Sequence, residues 1–352
     1  MRPFLLVACT TAALLITPTH AQAAKPSWAQ PEIRMVVARG LMGPSVRAFR
    51  PNDILTRGEL EAALRVLRGE PGAAPREPAT PVTMAFLDAR LVQALDLVDE
   101  AWAFAAEARA EGLDPPERFG TEVVARMLGL RINHETPHDE RELLPSDPAN
   151  RAEAAYSLAQ ALRLEPAAIE RVRVRAGNFT LPDLTGWQRR VLRTAVGLVG
   201  YPYVWGGFSE HRQTLWGEIA TGGFDCSGFI WRVFKGETYP GAPRLGGTLR
   251  GRTTYVMSAE MRRATRIPFA RLAAADIVFF GAVGPRSRPA QIEHMGLALG
   301  NGWIVHASRY GVAMTPLEDW YRERFAWARR PLAEAGLAPA PLPDARAKLL
   351  AP

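Results

Sequence analysis

Cys226 is the residue of this 352-residue chain whose surroundings are most suited to chemistry, and it lies in the segment GGFDCSGFIWRVF. Gly222 and Gly223 predict a loop, and the apolar spacing after the cysteine predicts a helix. The thiol is therefore expected at a helix N-terminus, where unpaired backbone N–H groups and the helix dipole favour the thiolate that attacks carbonyl carbons. The amide of Cys226 is a candidate donor to the oxyanion that such an attack creates.

A cysteine nucleophile needs a group that moves protons, and the segment HMGLALGNGWIVHAS contains two histidines. Its two apolar runs meet at Asn301 and Gly302, which predicts a β-hairpin. Because side chains alternate along a strand, a two-residue turn alone would put His294 and His306 on opposite faces. A three-residue loop with a bulge and Gly302 in the left-handed conformation instead places His306 opposite Gly296, on the face of His294. A Cys-His site, in which His306 orients His294, requires this second register.

A second group of residues matches a metal-binding motif. His134, Glu135 and His138 form HExxH, which on a helix places two zinc ligands and a general base one turn apart. Pro137 disfavours that helix, and the neighbouring residues are polar. A solvated loop is the preferred interpretation, so no metal and no cofactor are predicted, and a zinc peptidase is kept as an alternative.

The first residues predict export. An apolar run over residues 4–16, followed by the triplet AQA that ends at Ala23, is typical of a signal peptide at residues 1–23. The run is shorter than the stretch of about 18 apolar residues that spans a membrane. Once this segment is removed, Cys226 is the only cysteine left, and one thiol forms no internal disulfide.

Residues 28–67 predict two short helices joined by a loop, and Thr56 with Glu59 predicts a capping box at the start of the second helix. The same pattern returns ninety-four positions later at Asn150, which indicates an internal repeat. Residues 82–110 are a weaker candidate for a middle unit.

The segment FRPNDILTRGELEAAL resembles the S-layer homology (SLH) module, and LLPSDPANRAEAAYSL is a degraded second copy. This resemblance implies attachment to an anionic secondary cell-wall polymer, with Asp53, Arg57 and Glu59 at motif positions. Helix capping and orientation explain the same three residues without a ligand, so both interpretations stay open.

Five blocks between residues 186 and 332 resemble, in the same order, the NlpC/P60 family of papain-like cell-wall cysteine peptidases. They are RRVLRTAVGLVG, YPYVWGG, FDCSGF, DIVFF and HMGLALGNGWIVHAS. The resemblance implies an α+β fold in which the helix with the nucleophile packs on an antiparallel sheet. It also implies hydrolysis of peptidoglycan stem peptides, at the bond between γ-D-glutamate and diaminopimelate or lysine, through an acyl-enzyme.

The resemblance assigns roles to six residues: Cys226 as nucleophile, His294 as base and acid, His306 as orienting residue, and Tyr203, Asp225 and Ser227 as pocket residues that contact the amino end of the peptide and its γ-linked glutamate. The sequence departs from the family pattern at two places. Residues 208–224 form a longer insertion that contains Trp216, and Ala275 stands in the Ala-Ala-Asp segment that replaces the usual Pro-Gly-Asp.

The predicted organisation is an exported α+β enzyme with a small all-α region before it, located outside the cell or in its envelope (periplasmic or wall-associated) and not integral to the membrane. A net charge of +7, scattered among acidic residues, suits anionic wall polymers, whereas no nucleic-acid motif accompanies it. A wall-binding scaffold without catalytic activity is the remaining alternative. The predicted segments are a signal peptide (1–23), an SLH-like region (24–165), a linker (166–185), a catalytic domain (186–332) and a flexible tail (333–352).

Overall fold

The computed structural model describes residues 27–70, 76–133 and 142–337. The predicted signal peptide, the HExxH segment and the tail from residue 338 lie outside the described residues. Within the described residues, no helix is both long enough and apolar enough to cross a membrane.

The elements described before residue 186 are all helices. The predicted capping box is present: the Thr56 hydroxyl accepts a hydrogen bond from the Glu59 amide at 3.3 Å, and the Glu59 carboxylate accepts one from the Thr56 amide at 3.0 Å. The helices are α1 (Gln30–Ala38), α2 (Arg57–Arg68), α3 (Met84–Ala94), α4 (Val98–Ala110), α5 (Phe119–Met127), α6 (Arg151–Arg163) and α7 (Pro166–Gly177).

Three of these helices begin in the same way. Thr56, Thr83 and Asn150 cap α2, α3 and α6, and each side chain accepts from the amide three residues further on. Single β-bridges connect the N-terminal ends of the three helices pairwise. They join Ile54 to Asn150, Thr56 to Pro81 and Thr83 to Pro148. The predicted repeat is confirmed, and α3 is its middle unit.

The rest of the described chain mixes helices and strands. Its elements are α8 (Gly186–Gly197), β1 (Phe208–Ser209), β2 (Gln213–Leu215), β3 (Glu218–Ala220), β4 (Gly223–Phe224), α9 (Cys226–Trp231), α10 (Thr254–Ala259), β5 (Ile277–Gly281), β6 (Ile292–Gly300), β7 (Trp303–Ser308), β8 (Gly311–Pro316), α11 (Asp319–Arg324), β9 (Phe325–Arg329) and α12 (Pro331–Glu334). Five strands form an antiparallel sheet in the order β8-β7-β6-β5-β9. Because α9 packs against β6 and β7, the predicted α+β arrangement is confirmed.

The β6–β7 hairpin has the register that the catalytic interpretation requires. Ala298 pairs with Ile304, which sets His306 opposite Gly296. A Cβ atom on Gly296 would lie 3.0 Å from the His306 Cβ, so glycine leaves room for the histidine. His294 and His306 therefore share one face of the sheet.

The turn itself differs from the prediction. Asn301 and Gly302, with φ angles of 46° and 81°, form a two-residue turn rather than a three-residue loop. The register is corrected inside β6, where it shifts between Ala298 and Gly300. The bulge therefore lies in the strand before the turn, and it has the predicted effect on the histidines.

The turn before β5 adopts a conformation that favours glycine. Ala275 has a φ of 66°, which costs a residue other than glycine about 1 kcal/mol. Its amide donates to the Ala298 carbonyl at 2.8 Å, and the Asp276 carboxylate pairs with Arg330 at 2.7 Å. These contacts hold the turn although the family's usual glycine is absent.

The segment predicted as a linker is packed into the fold. Helix α7 buries Val172 and Ala176, one turn apart, against the N-terminal helices, and its arginines lie on the other side. After the helix, the Phe179 ring lies 5.1 Å from the rings of both Phe104 and Trp303. The prediction of a separate linker is corrected: the polar composition reflects the exposed face of a helix that joins the two regions.

The predicted tail also begins too early. Residues 331–334 form α12, and the Glu334 carboxylate pairs with Arg329 at 2.8 Å. Residues 333–337 therefore belong to the folded chain.

Candidate active site

Helix α9 begins at Cys226, as predicted, and Asp225 is its N-cap. The Asp225 Oδ1 atom accepts hydrogen bonds from the Gly228 amide and from the Ser227 hydroxyl, the latter at 2.9 Å. Its Oδ2 atom accepts from the Gly206 amide at 2.9 Å. These bonds fix the first turn of the helix and hence the position of the thiol.

The thiol lies between the start of α9 and strand β6. It is partly exposed, and the backbone amides of Met295 on β6 and of Ser227 favour its thiolate form. Met295 follows His294, so Cys226 lies beside the strand position that carries the histidine. Among the described contacts no hydrogen bond joins Sγ to the His294 ring; such bonds often tighten only when substrate is bound.

The two histidines form a hydrogen-bonded chain that ends on a threonine. His294 Nε2 lies 2.9 Å from His306 Nδ1, and His306 Nε2 lies 3.0 Å from the Thr315 hydroxyl on β8. If Thr315 accepts from His306, then His306 Nδ1 accepts from His294 Nε2–H, and His294 Nδ1 is free to take a proton. In this tautomer His294 presents an unprotonated Nδ1, as a base requires, and the Thr315 hydroxyl orients the pair.

We expect Thr315→Val to lower kcat by about tenfold, since removing a group that orients a catalytic or metal-bound histidine typically costs about 10- to 100-fold. Thr315→Ser keeps the hydroxyl and is the matched control. The measurement is kcat on a stem peptide for both variants, together with the melting temperature. Equal activity of the two variants would show that the hydroxyl has no part in orienting the histidines.

Aromatic side chains surround the histidine pair. Phe280 stacks on His294 with ring centroids 5.8 Å apart, and Trp320 and Tyr321 of α11 each lie 6.3 Å from it. The Tyr321 ring also lies 5.1 Å from His306. No motif in the sequence predicts Trp320 or Tyr321 at the site, and the strand pattern contains a signal only for Phe280, which is paired with His294 across β5 and β6.

Burial determines the charge of the resting site. It raises the pKa of Cys226 to about 12, helped by the nearby Asp225 carboxylate, and the backbone amides that favour the thiolate offset this only in part. Burial also lowers the pKa of His294 to about 4. The predicted stabilised thiolate is therefore corrected: near neutral pH the thiol keeps its proton and the imidazole is neutral.

A neutral pair has a characteristic pH dependence. Protonation of His294 below about pH 4 removes the base, so kcat/KM should fall there. An imidazolium–thiolate pair would lose its proton near pH 8 to 9, and kcat/KM would then fall again. For the neutral pair we expect no such second fall. We expect alkylation of Cys226 by iodoacetamide to rise steadily with pH above about 7, because only the thiolate reacts. The alkylation rate, corrected with Cys226→Ala for reaction at Cys9, measures this. A plateau from about pH 5 to pH 8 would indicate a preformed thiolate.

The three predicted pocket residues lie around the thiol, and a fourth residue joins them. Tyr203 forms a β-bridge with Phe224, two residues before Cys226, and burial raises the pKa of its phenol. Arg252 pairs with Asp225 at 3.2 Å and donates to Ser227 at 2.8 Å. Asp225 and Ser227 therefore hold the helix start together with Arg252, which no sequence motif had indicated.

The predicted wall-binding residues all make contacts within the N-terminal region. Asp53 pairs with Arg50 at 3.0 Å, and the Arg57 guanidinium lies 5.1 Å from the centre of the Phe86 ring. Glu59 completes the capping box and also pairs with Arg151.

A cavity of about 320 Å³ adjoins these residues. Arg50, Glu59 and Arg151 supply its charged groups, and the rest of its lining is apolar or small. Of the three predicted residues, only Glu59 lines it. Arg50 is exposed, so its guanidinium is open to a ligand.

The NlpC/P60 family model matches residues 200–330, the part of the chain that carries Cys226, His294 and His306. Residues 200–330 form an NlpC/P60 domain. The S-layer homology domain model matches residues 20–61, which include α1 and the start of α2. The two resemblances predicted from the motifs, to the SLH module and to the NlpC/P60 family, are thus confirmed.

Relatives of the NlpC/P60 domain carry peptidoglycan-related names. The chain is 32% identical over 142 residues to "Probable peptidoglycan endopeptidase LytE" of Bacillus subtilis, covering 40% of this chain and 34% of that protein. It is 27% identical over 152 residues to the gamma-D-glutamyl-L-lysine dipeptidyl-peptidase of the same organism, covering 42% and 43%. The chain thus spans less than half of each of these relatives.

A solved structure also matches this part of the chain. The peptidoglycan hydrolase RipB of Mycobacterium tuberculosis is 24% identical, with 45% of this chain and 77% of that chain covered and a TM-score of 0.31.

Proposed function

We propose that this protein is an exported cysteine endopeptidase that cleaves peptidoglycan stem peptides. The observation that carries the proposal is the placement of the Cys226 thiol, at the start of α9, beside the strand of a hydrogen-bonded His294–His306 pair. The family match and the names of the relatives support the substrate class. We propose the bond between γ-D-glutamate and diaminopimelate or lysine, which the name of the second relative supports.

The neutral resting pair sets the order of proton transfers. His294 Nδ1 takes the thiol proton as Sγ attacks the carbonyl carbon, because His306 occupies Nε2. The amide of Cys226 donates to the oxyanion. Loss of the amine, which receives that proton from His294, leaves a thioester; water activated by His294 then hydrolyses the thioester and regenerates the thiol.

Mass spectrometry of muropeptides tests this proposal. Purified peptidoglycan is digested with wild type, and each new product defines the bond that was cut. We expect products with a new amino terminus at diaminopimelate or lysine. Products that end elsewhere in the stem would overturn the bond assignment, and unchanged muropeptides would favour the non-catalytic scaffold.

We further propose that the N-terminal region attaches the protein to an anionic polymer of the cell wall. The SLH match supports this role, and the cavity beside Arg50 and Arg151 offers cationic groups to such a polymer. Location in the cell envelope, as both proposals require, also agrees with the apolar run at residues 4–16.

We expect Arg50→Gln to weaken binding to cell walls by about tenfold, because the variant loses one charge-assisted hydrogen bond to the polymer. Cosedimentation with walls, and with walls stripped of secondary polymer by hydrofluoric acid, is the measurement. Arg68→Gln removes an exposed arginine at the far end of α2 and is the matched control. Equal binding to stripped walls would exclude the polymer as the ligand.

A further inference from the structure

The insertion at residues 208–224 folds into a small hairpin with a tryptophan at its tip. Trp216 and Gly217 form the two-residue turn between β2 and β3, with φ angles of 49° and 87°. Such turns favour Asn-Gly, and a bulky residue in the left-handed conformation is an outlier. Strain of this kind is retained where the side chain has a function. The Trp216 side chain is 76% exposed, so most of its surface faces solvent.

The Trp216 indole lies directly beside the active site. Its ring packs on Gly206, leaving no room there for a Cβ atom. The Gly206 amide in turn donates to Asp225, the residue before the nucleophile. Trp205, which precedes Gly206, is 72% exposed. Two solvent-facing indoles therefore flank the backbone segment that holds the start of α9, and we call them the Trp205–Trp216 surface.

The same corner of the site is unsuited to a free amino terminus. The Asp225 carboxylate accepts from four donors: Gly206, Ser227, Gly228 and the Arg252 guanidinium. Three of these donors converge on Oδ1, which is fully used, and an ammonium group would have to share Oδ2 with the Gly206 amide. Arg252 also places a positive charge there, which repels an ammonium.

We propose that the enzyme acts on stem peptides that are still attached to the glycan strand, and that the sugar binds the Trp205–Trp216 surface. This inference builds on the proposed endopeptidase function and specifies its substrate. In an attached stem the amino end is an uncharged amide, which does not need a carboxylate partner. The sugar is only one or two residues from the scissile bond, and the C–H faces of a pyranose ring pack on flat indole surfaces while its hydroxyls stay hydrated.

Three forms of one stem tetrapeptide test the proposal: a free amino end, an acetylated amino end, and an N-acetylglucosaminyl-N-acetylmuramyl group. We expect kcat/KM to be lowest for the free amine and about tenfold higher for the disaccharide form than for the acetyl form, mainly through KM. Trp216→Asn should abolish most of the disaccharide advantage. Asparagine suits the left-handed turn, so this variant is expected to fold. Trp102→Ala removes another exposed tryptophan, 67% exposed on α4, and should leave kcat/KM for all three peptides unchanged.

Two results would overturn the inference: faster cleavage of the free-amine peptide, or an undiminished disaccharide advantage in Trp216→Asn. Binding measured by calorimetry with Cys226→Ala, with and without Trp216→Asn, separates this inference from the proposed reaction. If wild type cleaves none of the peptides but Trp216 still governs binding of the disaccharide form, the endopeptidase proposal fails while the glycan surface stands. If Trp216→Asn binds the disaccharide form as tightly as its parent, the glycan surface fails.

Discussion

Replacing Cys226 with alanine is expected to lower kcat for stem-peptide hydrolysis by about 10⁶-fold, the loss that removal of the nucleophile causes in a serine hydrolase. The effect is this large because the residual groups, an amide donor and a histidine, cannot form the acyl-enzyme. The N-terminal region is distant in sequence and unaltered, so binding to cell walls should persist. The measurement is release of product from a purified muropeptide, together with cosedimentation.

His294→Ala should give a similarly large loss, because thiol and imidazole act as one unit and such effects are not additive. His211→Ala is the matched control, since His211 is exposed in the insertion and contacts neither catalytic side chain. Melting temperatures near that of wild type would show that the losses are chemical. Retained hydrolysis in Cys226→Ala would rule out the cysteine mechanism.

The hairpin shows what the sequence could and could not predict about the site. The requirement that both histidines share a face predicted the pairing of His306 with Gly296, because strand side chains alternate. The position of the bulge was not predictable, since a bulge in β6 or a longer loop gives the same final register. A functional requirement therefore determined the register but not the local backbone that produces it.

The charge state of the thiol was predicted wrongly for a tertiary reason. The sequence showed the helix start, which favours the thiolate, but not the burial or the Asp225 carboxylate that oppose it more strongly. Thr315, Trp320 and Arg252 were missed for a related reason. Each of them lies on a separate segment of the chain, and tertiary packing brings that segment to the site. The sequence around each residue contains no motif that predicts this position.

The division of the chain into regions was predicted better than their connection. The capping boxes and repeated motifs are local, so they located the helical region and the catalytic domain. Helix α7 was missed because three arginines alternate with the residues that it buries. The buried contacts that join the regions involve residues far apart in sequence, and Arg126 is central among them.

Arg126→Met is expected to destabilise the protein by about 3 to 5 kcal/mol, the usual cost of leaving a buried charge without its partner. Arg126 has no exposed side-chain surface, and it pairs with Glu122 at 3.3 Å and Glu142 at 3.0 Å. It also donates to the carbonyls of Gly200 and Tyr310 in the catalytic domain. The substitution leaves the buried Glu122 carboxylate without this cation, whereas Glu142 keeps Arg131 as a partner at 2.7 Å.

A fall of about 10 °C in melting temperature corresponds to this loss for a chain of this size. Arg118→Met is the matched control, because Arg118 is only half-buried; across the same boundary it donates to the Gly197 carbonyl and lies 5.6 Å from the centre of the Tyr201 ring, but among the described residues it pairs with no buried carboxylate. Adding Glu122→Gln to Arg126→Met should recover part of the stability, since it removes the buried carboxylate that the first substitution leaves without its cation. A shift no larger than that of Arg118→Met would mean that apolar packing alone holds the helical region to the catalytic domain. A large shift would show that the segment leading from Gly200 to Tyr203, and hence the pocket beside Cys226, is held in place from the N-terminal region.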